Sequence, residues 1–155
     1  MMDLDLLKKG KERQTYTDYI NQLVRDVKQL HDDIINDEEF NGEVFMIGDQ
    51  NMILKCHPYL KLNIIFEKQP YQTEIAFEKK HINLTNIKLR NDEAIKFIKK
   101  IIHNEIVIIE YHRILTTILP SLFVKILPKG KYEKVKNKYL NRRTIKIYTG
   151  SKIIQ

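Results

Sequence analysis

The chain has 155 residues, about one domain's worth, enough to bury roughly two-thirds of its unfolded surface in a single core. Apolar residues at 43% and charged residues at 30% describe a folded chain rather than a disordered one. The net charge is +7, and neither GxGxxG nor GxxxxGK[ST] occurs, which excludes the glycine-rich phosphate loops; the single cysteine, Cys56, excludes an internal disulfide and any multi-cysteine zinc site.

Isoleucine outnumbers valine 24 to six, the bias of an AT-rich genome such as a firmicute, its phage or a virus. The N-terminus MMDLDLLKKGKER places acids before bases and has no apolar signal region. The longest uncharged run, 114–124, is broken by Pro120 and falls far short of the ~20 apolar residues that span a bilayer. The expectation is a cytoplasmic protein (host cytoplasm if phage or viral) with no membrane partner, no cofactor and no metal.

Residues 1–12 read as a loosely packed N-terminus. Over 15–35, Tyr16, Ile20, Leu23, Val27, Leu30 and Ile34 recur at alternating spacings of four and three, which predicts an amphipathic helix capped by Thr15 or Thr17. The same stripe is a short heptad seam, and together with the Ile-rich region 95–127 it offers a surface for homo-oligomer formation. An acidic stretch, 32–43, follows and marks the helix end.

From 43 to 89 the period changes to two. Segments 43–47 and 52–56 flank Gly48-Asp49-Gln50-Asn51, a hairpin composition. Segments 60–66 and 71–78 form a second hairpin, and 81–89 a fifth strand, giving an antiparallel meander with one buried and one polar face. Asn91-Asp92-Glu93 predicts a helix start, with Asn91 as cap. Beyond His103-Asn104 the pattern fits both states, and the i, i+3/4 spacing of Ile108, Tyr111, Leu115 and Ile118 favours helix as far as Leu119. Residues 121–127 then read as a strand, Pro128-Lys129-Gly130 as a turn, 131–141 as a short helix and 142–149 as a final strand. The whole is a single α+β domain: an antiparallel sheet of about five to seven strands against the N-terminal helix and a second helical region after residue 91.

Charge is the most informative feature. Residues 1–120 carry 17 basic and 19 acidic side chains, whereas 121–155 carry ten basic residues and one acid, Glu133. On a helix over 131–141, Lys131, Lys134, Lys138 and Arg142 share one face, and Tyr132, Val135 and Tyr139 another. Phosphates reward such a face because counterions are released when lysines neutralise them. The expected function is weakly sequence-specific nucleic-acid binding by Lys129, Lys131, Lys134, Lys136, Lys138, Arg142, Arg143 and Lys146, with Tyr132 and Tyr139 as stacking partners. Lysine-rich surfaces are also common solvated faces, and the segment has an acidic counterpart in 32–43. A protein-interaction module, such as an assembly subunit, an inhibitor or an immunity-type protein, is therefore the alternative.

A third reading rests on Glu78-Lys79-Lys80 at the end of an apolar strand, with Asp49 upstream. This Glu-x-Lys resembles the core of the PD-(D/E)xK nucleases. The resemblance implies Mg²⁺ held by Asp49 and Glu78 and an attacking water positioned by Lys80. The competing explanation is an ordinary strand end with solvated charges. The five histidines show no HExxH, and Cys56 reads as a buried small apolar residue.

Overall fold

The computed structural model describes residues 4–57, 59–67, 72–79, 82–113, 121–139 and 144–154; side chains of 4–14, 113, 121 and 122 fall outside that description. The order is α1 (Leu4–Ile35), β1 (Glu43–Ile47), β2 (Asn51–His57), β3 (Leu60–Phe66), β4 (Gln72–Lys79), β5 (Ile82–Arg90), α2 (Asn91–Ile102), β6 (Ile106–Arg113), β7 (Ser121–Pro128), α3 (Lys129–Val135), a 3₁₀ turn (Lys136–Tyr139) and β8 (Thr144–Tyr148). The α+β class holds. The described strands form two antiparallel sheets, a five-stranded meander β1-β2-β3-β4-β5 and a three-stranded sheet β7-β6-β8.

The helix α1 starts at Leu4, well ahead of the threonines expected to cap it. Residues 4–14 are rich in Leu and Lys and contain no proline, so the helix propagates through them despite Gly10. Leu23, Val27, Leu30 and Ile34, the predicted stripe, are buried within the chain. They pack with Ala94, Ile98, Ile101 and Ile102 of α2 over the inner face of the meander. Each of these leucine, isoleucine and valine side chains contributes about 1.5–3 kcal/mol when buried. The meander alternates as its sequence does: Met52, Leu54, Leu62, Ile64, Ile75 and Phe77 point inward and are fully covered.

Four local expectations change. Asn91 is the first residue of α2 and Arg90 occupies the cap position. The Asn91 side chain instead accepts from Thr73 Oγ1 at 2.6 Å and donates to Tyr19 hydroxyl, tying α1, β4 and α2 together. Residues 106–113 are strand rather than helix; 114–119 lie outside the described residues. The strand β6 is central, with both faces covered, so it reads as a continuous apolar run instead of an alternating one. Asn104, at φ 61°, ends the helical path ahead of it.

Pro128-Lys129-Gly130 is not a turn. Pro128 ends β7 and caps α3, which begins at Lys129, and Lys129 N–H donates to Glu105 O at 2.8 Å. The helix expected over 131–141 is the short α3 followed by the 3₁₀ turn to Tyr139; residues 140–143 lie outside the described residues. The final strand is described over Thr144–Tyr148.

The three-stranded sheet is sandwiched. Its inner face, with Ile106, Ile108 and Tyr148, closes the main core. Its outer face, with Val107, Ile109, Leu127 and Ile147, is covered by Tyr132 of α3 and the half-buried Val135 and Tyr139. The described apolar residues of β6 thus supply core on both sides of the strand.

Candidate nucleic-acid interface

Tyr132 positions α3. Only 5% of its surface is exposed, and it packs on the outer face of the three-stranded sheet. That burial turns the rest of the helix outward. Lys129, Lys131, Lys134, Lys136 and Lys138 are all exposed along α3 and the 3₁₀ turn. The segment's acid, Glu133, accepts from Lys136 Nζ at 3.2 Å. No ion pair involves Lys129, Lys131 or Lys134 among the described residues.

The acidic stretch pairs elsewhere. Asp33 Oδ2 lies 3.4 Å from Lys99 Nζ, and Asp37 Oδ2 lies 2.9 Å from His103 Nε2. Both bases belong to the C-terminal end of α2 or the residue after it, where cations also offset the helix dipole. Burial raises the Asp37 carboxyl, but the His103 bond and the Glu39 and Phe40 N–H donors outweigh it and hold it below its ordinary value. Among the described residues, the acidic stretch does not cover the lysines of α3.

The predicted cluster divides in two. Strand alternation turns Ile147 toward α3 and Lys146 to the opposite face. There Lys146 stands opposite Glu110 in the β6–β8 register, with its Nζ 3.6 Å from the centre of the Tyr59 ring. Arg142 and Arg143 lie outside the described residues. Tyr132 is an anchor with its ring in the core, which leaves Tyr139 as the ring near the surface.

Tyr139 has company that sequence reasoning missed. Tyr111 and Phe123 face each other across β6 and β7, with ring centres 5.9 Å apart and nearly parallel. Tyr139 lies 6.4 Å from Tyr111, and Lys125 Nζ stands 5.9 Å from the Tyr139 ring centre. This half-buried line of three rings, with Lys125 at its end, exists only because 106–113 is a strand. Read as a helix, Tyr111 has no cross-strand partner.

Where the two sheets meet, a second polar group forms. Glu110 is 1% exposed, and its Oε1 lies 3.6 Å from Lys79 Nζ. Burial raises its carboxyl above the usual range; Lys79, the Tyr148 hydroxyl and Lys146 act the other way without cancelling it. Burial, and then the charge of Glu110, push Tyr148 upward in turn. Tyr59 N–H donates to His57 Nδ1 at 3.2 Å, so the other ring nitrogen carries the proton and donates to Thr149 O at 2.9 Å. Burial and the Lys146 charge lower the His57 pKa even though the Thr149 carbonyl raises it. Cys56 beside it is buried, with its thiol pushed up to about 12 by desolvation, which makes it a poor nucleophile. These groups join the sheets and leave Lys146 committed to the seam.

The nuclease arrangement is not assembled. Asp49 is exposed in the β1–β2 turn two residues before Asn51, which pairs through Ile65 with Glu74. Glu78 sits four residues further along β4 and pairs with Lys61 at 3.7 Å. Four residues of strand and the intervening strands separate the two acids by well over 10 Å. Lys80 lies outside the described residues, and no group of three metal-ligating side chains occurs among the described ones.

A cleft of about 550 Å³ opens between α1 and the start of α2, lined by Tyr19, Asp26, Arg90, Asn91 and Asp92 among others. Its walls mix both signs of charge and include neither histidine nor cysteine. No helix among the described residues is long and apolar enough to cross a membrane. Compared with family models, curated proteins and solved structures, the chain matches none.

Proposed function

We propose that this protein binds nucleic acid with little sequence preference, through the lysine face of α3 and its 3₁₀ extension. The observation that carries this reading is the exposed set Lys129, Lys131 and Lys134, for which the described residues provide no carboxylate partner, on a helix fixed by buried Tyr132. Lysine is a flexible point charge that suits phosphates better than base edges. The adjoining rings of Phe123, Tyr111 and Tyr139, with Lys125 at their end, favour a single strand, because unpaired bases stack on aromatic side chains.

The test is fluorescence anisotropy with labelled single-stranded DNA, single-stranded RNA and duplex DNA across a salt series. A single strand should bind best, with a steep loss of affinity as salt rises. The K129Q/K131Q/K134Q variant should reduce the log–log salt slope by about 2, at ~0.7 per phosphate contact. Equal affinity and equal slope for wild type and variant would remove the α3 face from consideration.

A further inference from the structure

The lysines of α3 and the rings beside it stand at opposite ends of one track. Lys129, the first residue of α3, is tied through its N–H to the carbonyl of Glu105, one residue before β6. The 3₁₀ turn ends at Tyr139, whose ring lies 6.4 Å from that of Tyr111 near the other end of β6. Helix and turn, seven and four residues, thus run lengthwise over the outer face of the strand. They cover about 18 Å at ~1.5 and ~2.0 Å per residue. The strand beneath, from Ile106 to Tyr111, covers about 17 Å at ~3.4 Å per residue. Lys129, Lys131 and Lys134 occupy the α3 part, exposed and with no carboxylate partner among the described residues. Lys136, further along, is held by Glu133 at 3.2 Å. At the ring end, alternation puts Phe123, Lys125 and Leu127 of β7 on the face that α3 covers, and Lys125 Nζ stands 5.9 Å from the Tyr139 ring centre. Glu105 is exposed where the track begins, and an acid there discourages a phosphate chain from continuing past Lys129.

We propose that a single strand lies lengthwise on this track, with successive phosphates on the α3 lysines and one base on the Tyr139 ring, so that the protein covers about three to six nucleotides. This rests on the nucleic-acid reading above and adds to it the length and placement of the ligand. The length follows from the track, because a strand advances ~3.4 Å per nucleotide when stacked and about twice that when extended. The single stacking position follows from the rings. Tyr111 and Phe123 are already stacked on each other, 5.9 Å apart and nearly parallel, so they back Tyr139 rather than offer separate faces to further bases. The two ends of the site thus do different work. Lysines at one end supply salt-sensitive attraction, and a ring at the other supplies contact that salt leaves alone.

The experiment is anisotropy at low salt with labelled thymidine oligomers from two to sixteen nucleotides long. Wild-type affinity should climb steeply to about six nucleotides and thereafter only in proportion to the number of positions on which the track can sit. Y139L keeps an apolar side chain in the cluster and removes the ring. It should weaken binding of the hexamer by about 5- to 100-fold with an unchanged salt slope, because stacking releases no counterions. K129Q/K131Q/K134Q should instead lower the slope. Absence of binding at every length, or a lysine variant that binds as wild type does, overturns the nucleic-acid reading and this placement with it. Binding that needs the lysines but keeps climbing steeply beyond about ten nucleotides overturns the placement alone. So does a folded Y139L with wild-type affinity. The length series uses the unaltered protein, so it decides the matter even if Y139L does not fold.

Discussion

Replacing Lys79 with methionine tests the seam between the sheets. Glu110 Oε1 lies 3.6 Å from Lys79 Nζ, and the carboxylate is 1% exposed. Lys79 comes first among the groups that favour its charge, ahead of the Tyr148 hydroxyl and Lys146. Removing one partner of a buried pair costs about 3–5 kcal/mol. Lys79 keeps 24% of its side chain in solvent and Lys146 stays behind, which brings the expected cost of K79M to about 2–3 kcal/mol. With unfolding entropy of about 2.1 cal/mol/K per residue, a chain of this length should lose about 6–9 °C in Tm. The pH dependence has a definite sign. The folded pKa of Glu110 is raised, so the stability gained from its proton is complete below the unfolded value of about 4.3. It is lost as pH rises through the folded pKa. Losing Lys79 raises that pKa further, so the K79M deficit should be largest near neutral pH and shrink toward pH 4. Thermal denaturation followed by circular dichroism at several pH values measures this, with K79M/E110Q as control. The double variant should recover most of the neutral-pH loss. An equal deficit at every pH, with no recovery in the double variant, would refute the electrostatic account and leave only lost packing.

Other outcomes follow from the same geometry. Asn104 accepts from Thr149 Oγ1, Ser151 N and Ser151 Oγ, so N104G, which tolerates the positive φ, should still lose about 1–3 kcal/mol by urea denaturation. An added Cβ at Gly150 would meet Ile101 O at 2.1 Å; G150A should therefore shift the 149–153 segment, visible as faster amide exchange there. Cys56, buried with its thiol near 12, should resist a thiol reagent at pH 8 in the folded protein and react at once in urea. The His57 ring should titrate below its ordinary value by NMR; because the folded pKa is depressed, its contribution to stability is lost as pH falls from about 6.5 toward that value.

Periodicity made much of this fold legible. Strands β1 to β5 alternate because one face is buried and the other wet, and α1 shows its stripe because Leu23, Val27, Leu30 and Ile34 all meet the core. The basic face of 129–138 was equally plain, since a surface charge needs no tertiary partner to be recognised. Long-range pairing was not visible in this way. Ile106–Ile109 is apolar on both faces, so its period is silent, and only its place between β7 and β8 made it a strand. That choice set Tyr111 against Phe123, buried Glu110 beside Lys79, and turned Lys146 away from the lysines it follows in the chain. The sequence by itself determined which segments carry apolar stripes and where positive charge accumulates, because both are local properties of the residues. The tertiary structure decided which charges meet and which rings form a line, because those depend on neighbours that the chain brings together only by folding.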